Sequence, residues 1–154
     1  DVTPTMIRSI KQIGEWSFLE INDEELVDTV RRGIFSNDEL VRIYYGTLRL
    51  GINLKDAKEG WLSMSGDTLV AKLPPVRLLD NDFIDETRTR SFIASGKWSS
   101  VDRKEMYDRA VQKMRQRCLT KKNYAAAQLN AKEQFGQMLR SMGFEKTRVE
   151  IGSK

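Results

Sequence analysis

Histidine is absent from this chain of 154 residues, and cysteine occurs only once. Without histidine, the sequence excludes imidazole acid–base catalysis, Ser-His and Cys-His nucleophile pairs, and histidine metal sites. Cys118 alone can form neither an intramolecular disulfide nor a thiolate zinc site. It falls on the apolar face of a predicted helix, so we interpret it as a small buried hydrophobic residue.

Long apolar runs and glycine-rich phosphate loops are missing as well. No stretch approaches the roughly 20 apolar residues of a membrane-spanning helix, no signal peptide is recognisable, and neither G-x-G-x-x-G nor G-x-x-x-x-G-K occurs. The 26 basic and 22 acidic residues give a net charge of +4, which is too small an excess for a dedicated nucleic-acid binder. The length and the 40% hydrophobic content predict a single domain over residues 1–154 with its own core.

Proline is scarce, and two of the three prolines are adjacent in the stretch "SGDTLVAKLPPVRLL". Alternating apolar residues on both sides of Ser65-Gly66-Asp67 predict a β-hairpin. Because proline has no amide hydrogen and Pro75 holds Pro74 extended, the pair does not fit a central strand. We predict that the chain leaves one strand partner at these prolines and that residues 76–79 join another.

Elsewhere, alternation of apolar residues favours strands, and a spacing of three or four favours helices. The stretch "ELVRIYYGTLRLGINL" predicts a long, half-buried strand in which Gly46 and Gly51 are candidate bulges or bends. A short helix is predicted from near Pro4 to Gly14, with strand-like spacing after it. Residues 23–38 fit either one or two helical turns or an irregular excursion. "ETRTRSFIASG" and "KTRVEI" predict two further strands.

The C-terminal half predicts amphipathic helices. Ser99 and Asp102 resemble a capping box at the first helix start. Apolar residues then recur at helical spacing, as Tyr107, Ala110, Val111, Met114, Cys118, Tyr124, Ala131, Phe135, Met138 and Met142. "LTKKN" indicates a break, although one helix over residues 100–142 stays open, and Gly143 marks the end. The fold class predicted is α+β: a largely antiparallel sheet of four to six strands with the C-terminal helices packed on one face.

Three features occur in a fixed order: the strand "IYYGTLRLGINL", the hairpin that runs into "LPP", and the tail that ends "LRSMGFEKTRVEI". This order resembles an uncharacterised bacterial family, the domain-of-unknown-function family 4230, over about residues 7–151. The resemblance implies an extracytoplasmic, membrane-tethered domain, because members usually carry an N-terminal hydrophobic segment. We therefore expect a natural anchor or signal ahead of Asp1. Asn53 stands where relatives often have an acidic residue, and the family supplies no activity and no catalytic residues.

The acidic run "DNDFIDE" contains four carboxylates, namely Asp80, Asp82, Asp85 and Glu86. Asp80, Asp82 and Asp85 are the metal candidates, but positions 6 and 12 of a calcium loop lack the required glycine and glutamate. A solvated turn is the favoured interpretation. The alternative is a carboxylate-based hydrolase, such as a glycosidase, with its site around residues 80–86. A deep pocket that joins these carboxylates to Arg88 or Arg90 would favour it.

A basic ridge is predicted on the first C-terminal helix, where Arg109, Lys113 and Arg117 recur every four residues beside the apolar stripe. Such a ridge can contact anionic headgroups or an acidic partner, or it is an ordinary solvated helix face. Four aromatic residues also have two interpretations: Tyr44, Tyr45, Trp61 and Trp98. They form a platform for sugars or bases, or they belong to the core, which is the interpretation that we favour.

These observations predict no catalytic residues and no cofactor. We interpret the chain as a non-enzymatic module of a membrane-tethered extracytoplasmic protein that acts through protein or envelope contacts. An envelope protein or an anionic membrane surface is the expected kind of partner, and nucleic acid is not expected.

Overall fold

A computed structural model describes residues 1–153. These residues form three α-helices, seven β-strands and two 3-10 turns. In chain order the elements are α1 (Pro4–Lys11), β1 (Glu15–Arg32), β2 (Asn37–Asn53), a 3-10 turn (Leu54–Asp56), β3 (Leu62–Ser65), β4 (Thr68–Leu73), β5 (Arg77–Leu78), a second 3-10 turn (Glu86–Arg88), β6 (Arg90–Ala94), α2 (Ser100–Cys118), α3 (Lys121–Ser141) and β7 (Thr147–Ile151). Most strand pairs are antiparallel. The predicted α+β class, with antiparallel-dominated sheets and C-terminal helices, is confirmed.

The chain forms two compact units. The first unit comprises Asp1–Glu20, Arg49–Asn81 and the chain from Lys121 onward, and the second comprises Ile21–Leu48 and Asp82–Thr120. The long strands β1 and β2 therefore contribute residues to both units. The division into two compact units does not test whether the chain is a single domain, so that expectation remains a prediction.

In the first unit, a three-stranded sheet is built on the predicted hairpin. β3 and β4 pair antiparallel, from Leu62 opposite Ala71 to Ser65 opposite Thr68, and Gly66 at the turn has a φ of 63°, which glycine adopts without steric cost. β7 pairs with β4 in parallel, which a crossover through the intervening helices permits. The hairpin and the final strand are therefore confirmed.

The two adjacent prolines separate strands that pair with different neighbours, as predicted. β4 ends at Leu73 beside β3 and β7. β5 follows the prolines and pairs with β2, where Leu50 lies opposite Leu78 and Gly51 opposite Arg77. Since proline cannot donate a ladder hydrogen bond, the chain changes partner where donors are not needed.

The first unit buries an aromatic cluster around α3. The Phe135 ring centroid lies 5.8 Å from Trp16 and 6.1 Å from Trp61, and Trp16 stacks on Phe18 at 5.1 Å. Phe135 is completely buried. Stacked and tilted aromatic pairs of this kind stabilise the fold in addition to the stabilisation that comes from burying their surface area.

In the second unit, the structure extends β1 through Arg32, so the helical hypothesis for residues 23–38 is wrong. The burial pattern has a period of two: Glu25 and Val27 are buried, whereas Glu24, Leu26 and Asp28 are exposed. This is the pattern of a strand with one face toward a core. The structure places only residues 33–36 of this segment outside strands.

Strand β6 confirms the strand predicted within "ETRTRSFIASG". It pairs antiparallel with β2, from Leu40 opposite Ala94 to Ile43 opposite Arg90, and the register shifts between Val41 and Arg42. That shift leaves Phe92 as an extra residue, a β-bulge. All five residues of β6 are exposed.

Two separate helices form in the C-terminal half, with the predicted break at Leu119 and Thr120. The capping box is confirmed, because the Asp102 amide donates to Ser99 Oγ at 3.1 Å and the Ser99 amide donates to Asp102 Oδ2 at 2.9 Å. Cys118 is buried, as interpreted. Met142, predicted on the apolar stripe, is 44% exposed, since α3 ends at Ser141.

Candidate functional site

The predicted basic ridge lies on α2, and two of its three cations contact β1 in the second unit. Arg117 Nε donates to Glu25 Oε2 at 2.6 Å and lies 3.8 Å from Asp23 Oδ1. Lys113 Nζ donates to the carbonyl oxygen of Leu26 at 3.2 Å. Arg117 is therefore already paired with a carboxylate of the same unit, which lowers the charge that the ridge offers to another molecule. Its role as a binding surface stays a prediction.

Glu25 is the one charged side chain that is buried among residues 1–153, at 4% exposed. Burial raises the pKa of Glu25, but hydrogen bonds from Asp23 and Arg117 outweigh it and hold that pKa below its usual range. The pKa of Asp23 moves upward, because of its burial and its hydrogen bond with Glu25. When protonated, Asp23 donates to Glu25, and Glu25 remains the carboxylate that binds Arg117.

The acidic run is a surface turn with engaged side chains. Asp85 caps the 3-10 turn: its Oδ1 accepts from the Thr87 hydroxyl at 2.6 Å and from the Thr87 amide at 3.1 Å. The Thr87 hydroxyl bond holds the pKa of Asp85 below its usual value. Asp82 accepts from the Tyr107 hydroxyl at 3.2 Å. In the part of the chain that the structure describes, no three His, Cys, Asp or Glu side chains converge as a metal site.

Two of the four candidate aromatic residues are confirmed as core. Tyr44 and Trp61 are buried. Trp98 is half-buried, with its indole Nε1 donating to the Ser95 carbonyl at 2.7 Å. Tyr45 is also half-buried, and the Arg88 guanidinium lies 4.1 Å from its ring centroid. Trp61 belongs to the first unit, and the other three aromatic residues belong to the second.

The turn between β1 and β2, residues 33–36, is the most exposed apolar feature of the second unit, and we call it the hairpin tip. Ile34 is 95% exposed and Phe35 is 100% exposed. The Gly33 amide donates to Asn37 Oδ1 at 3.4 Å, and a side chain at Gly33 would overlap the Ser36 carbonyl oxygen. This tip is not evident from the sequence, because the charged residues between positions 23 and 38 do not show the alternation typical of two strands and a turn.

The base of the tip is held by Arg31. Its guanidinium donates to Asp102 Oδ2 at 3.0 Å and to the Lys97 carbonyl at 2.8 Å, and it lies 4.4 Å from the Trp98 ring centroid. The neighbouring Arg32 is exposed. These contacts support β1 close to the point where the chain turns.

A cleft of about 490 Å³ lies in the second unit between β2 and the start of α2, and we call it the Tyr44 cleft. Its cationic side chains are Arg42, Arg103 and Lys104, and Glu86 and Asp108 also line it. Glu86 thus reaches a cleft, whereas Arg88 lies over Tyr45. A larger cleft of about 820 Å³ lies in the first unit beside the paired prolines.

The fold is α+β, and its second unit carries an exposed apolar turn and a charged cleft. The chain belongs to the family described as Protein of unknown function (DUF4230), whose model matches residues 8–149. This match confirms the resemblance inferred from the sequence. Searches of curated proteins and of solved structures found no match. No helix formed by the described residues is long and apolar enough to cross a membrane.

Proposed function

We propose that this chain is a non-enzymatic extracytoplasmic module of a membrane-tethered protein, and that its hairpin tip contacts an anionic membrane surface. The observation that carries the proposal is the almost complete exposure of two adjacent large apolar side chains, Ile34 and Phe35. The location and the tether are what the family resemblance implies.

The chemistry of the tip favours lipid over a protein surface as its partner. Four residues between two strands present only two apolar side chains, whereas a stable protein interface buries about 800 Å² on each partner. A narrow apolar turn suits insertion among acyl chains beside headgroups. The exposed Arg32 next to the tip adds attraction to anionic headgroups.

The expected strength is modest. Full burial of one Ile or Phe side chain contributes about 1.5–3 kcal/mol, so partial insertion of both contributes roughly 3 kcal/mol. That is insufficient for tight binding by a free domain. A tether holds the tip near the surface at a high effective concentration, and weak contact then suffices.

The test is cosedimentation with vesicles that contain phosphatidylglycerol, at low and at physiological salt. The parent should bind, and Ile34→Ser/Phe35→Ser should bind at least tenfold more weakly, because roughly 1.4 kcal/mol corresponds to a factor of ten. Phe92→Ser is the matched control, since Phe92 is an exposed apolar residue on β6 and not on the tip. Equal binding by the tip variant and the parent would contradict the proposal.

The basic ridge needs a separate variant. Reversing Arg117 would leave the buried Glu25 without its ion-pair partner, so a triple charge reversal would perturb the fold as well as the surface. Arg109→Glu changes the ridge without touching that pair. If Arg109→Glu abolishes vesicle binding and the tip variant does not, the ridge is the contact surface instead.

The alternative function is a carboxylate-based hydrolase, and the observation in its favour is that Glu86 and Asp108 line the same cleft. Asp108 is bound to Lys104 at 2.8 Å, so its carboxylate is already engaged by an ammonium group. A glycosidase needs both a carboxylic acid and a carboxylate. Turnover of aryl glycosides by the parent, lost in Glu86→Gln, would establish this alternative over the non-enzymatic module.

A further inference from the structure

Two hydrogen-bond donors beneath the Tyr44 cleft have no acceptor among the described residues. The Tyr44 hydroxyl and the Arg42 Nε are both buried, and neither donates a hydrogen bond within the described residues; both residues line the cleft. Tyr44 as a whole is 1% exposed. Because unpaired buried donors cost free energy, native structures almost always supply an acceptor for them.

The electrostatic environment of Tyr44 is positive. The Arg42 guanidinium acts on the Tyr44 hydroxyl both by its charge and as a hydrogen-bond donor to the hydroxyl oxygen, whereas Arg109 and Arg103 act by their charge. Arg42 lies 5.7 Å from the Tyr44 ring centroid. Burial nevertheless raises the pKa of Tyr44, so the hydroxyl keeps its proton at neutral pH and remains a donor. In this positive environment, an anion is a better acceptor for the Tyr44 hydroxyl than a neutral group.

The N-terminal end of α2 adds to this field. Ser100, the first residue of this 19-residue helix, lines the cleft together with Arg103. The capping box uses the Ser99 and Asp102 amides, and the Asp102 carboxylate, which also pairs with Arg31, offsets part of the positive charge of this helix end. The remaining partial charge favours an anion close to Ser100. Arg103 is held in place, because its Nη1 donates to the Trp98 carbonyl at 2.6 Å.

Carboxylates act on Tyr107, which also lines the cleft. Burial raises the pKa of Tyr107, and Asp82, Glu86 and Asp108 raise it further. Asp108 is also paired with Lys104. Arginine groups thus act on Tyr44 and carboxylate groups on Tyr107, whose ring centroid lies 6.4 Å from that of Tyr44.

We propose that the Tyr44 cleft binds a small oxyanion, with phosphate as its best match. The Tyr44 hydroxyl, the Arg42 Nε and the N-terminal end of α2 would donate to its oxygens, and Arg103 would balance its charge. Phosphate presents several acceptor oxygens to donors that approach from different directions, as these do. Either free phosphate or a phosphate headgroup supplies this chemistry.

The experiment is a titration of the isotope-labelled chain with inorganic phosphate, followed by NMR at constant ionic strength with chloride as the replaced anion. We expect saturable shifts of the amides near Tyr44 and Ser100. Tyr44→Phe removes only the hydroxyl and should raise the Kd about tenfold, because a hydrogen bond to a charged group is lost. Tyr45→Phe is the matched control, and its Kd should equal that of the parent.

A thermal-melt series separates binding from folding. Without phosphate, Tyr44→Phe should lose little stability, because the hydroxyl hydrogen that it removes has no acceptor and only the contact with Arg42 is lost. Phosphate should raise the Tm of the parent more than that of Tyr44→Phe or of Arg42→Gln. Absence of saturable shifts, or an unchanged Kd in both variants, would overturn the proposal.

Vesicles that contain phosphatidic acid distinguish the two sources of phosphate. If Tyr44→Phe weakens vesicle binding and free phosphate competes with it, the ligand is a headgroup. If the same substitution weakens binding of free phosphate only, the ligand is soluble. Ile34→Ser/Phe35→Ser should keep the parent's Kd for phosphate, so failure of the tip proposal leaves this result independent.

Discussion

Gly51 lies where β1 approaches β2 more closely than any side chain permits, and Gly51→Ala should test that packing. A Cβ at this position would overlap the carbonyl oxygen of Trp16 and would lie 2.9 Å from both the Ser17 Cα and the Leu79 Cδ1. Two of these three neighbours are backbone atoms of β1, which cannot turn away as the end of a long side chain can. The strand must therefore move.

The expected destabilisation is a few kcal/mol. Overpacking of a tight core costs about 1–3 kcal/mol, and each ladder hydrogen bond strained by the movement costs about 1 kcal/mol more. Alanine also lowers the conformational entropy of the unfolded chain relative to glycine, which offsets about 0.4–1 kcal/mol of this destabilisation. We therefore expect a net loss of about 2–3 kcal/mol, or roughly 4–12 °C in Tm for a chain of this size.

Gly136→Ala is the matched control within the first unit. The new Cβ would lie on helix α3, 3.2 Å from Arg140 Nη1 and 3.7 Å from Thr147 Oγ1. The arginine end is flexible, and alanine favours a helix over glycine by about 1 kcal/mol. We expect this variant to be as stable as the parent or slightly more stable.

Urea unfolding followed by tryptophan fluorescence measures both variants, because Trp16 and Trp61 both contact the buried Phe135 ring. The denaturation midpoint should fall for Gly51→Ala with an unchanged m-value. If Gly51→Ala matches the parent, or if Gly136→Ala loses as much stability, the close approach of β1 to Gly51 is incorrect.

Two further predictions concern the second unit. Because the folded pKa of Glu25 lies below its unfolded value, its ion pair contributes stability that is full above the unfolded pKa and is lost as pH falls through the folded pKa. Arg117→Gln removes the ion pair and one of the two hydrogen bonds that lower that pKa, so the Tm deficit of this variant should be largest near neutral pH and should shrink toward pH 4. Arg109→Gln should show no such trend, and a deficit independent of pH would refute the pairing. Burial raises the pKa of Cys118 to about 11, so a disulfide reagent at neutral pH should label the native thiol far more slowly than the urea-unfolded thiol, and equal rates would contradict its burial.

Local features of the fold were predictable from the sequence because their determinants are neighbours in the chain. The hairpin turn needs only a glycine between alternating runs, and the capping box needs only Ser99 and Asp102 three positions apart. The change of strand partner at Pro74-Pro75 follows from the missing amide hydrogens alone. These requirements hold whatever the rest of the chain does.

The extension of β1 was not predictable in the same way. The three consecutive acidic residues at positions 23–25 do not indicate a strand. The carboxylates of Asp23 and Glu25 are stabilised by Arg117, which lies in α2, about ninety positions later in the chain. Burial of Glu25 is tolerated only once this guanidinium lies 2.6 Å away. The hairpin tip depended on the same assignment, since it exists only if β1 continues to Arg32.

The cleft shows the same division between local and tertiary information. Sequence by itself determined that Tyr44 is apolar enough for a core and that α2 begins near Ser99. Only the tertiary structure decided that the hydroxyl of Tyr44 and the Nε of Arg42 would be buried without acceptors beside the start of α2. The physical reason is that hydrogen-bond satisfaction depends on which distant groups converge on a donor, and residue spacing along the chain carries no record of that convergence.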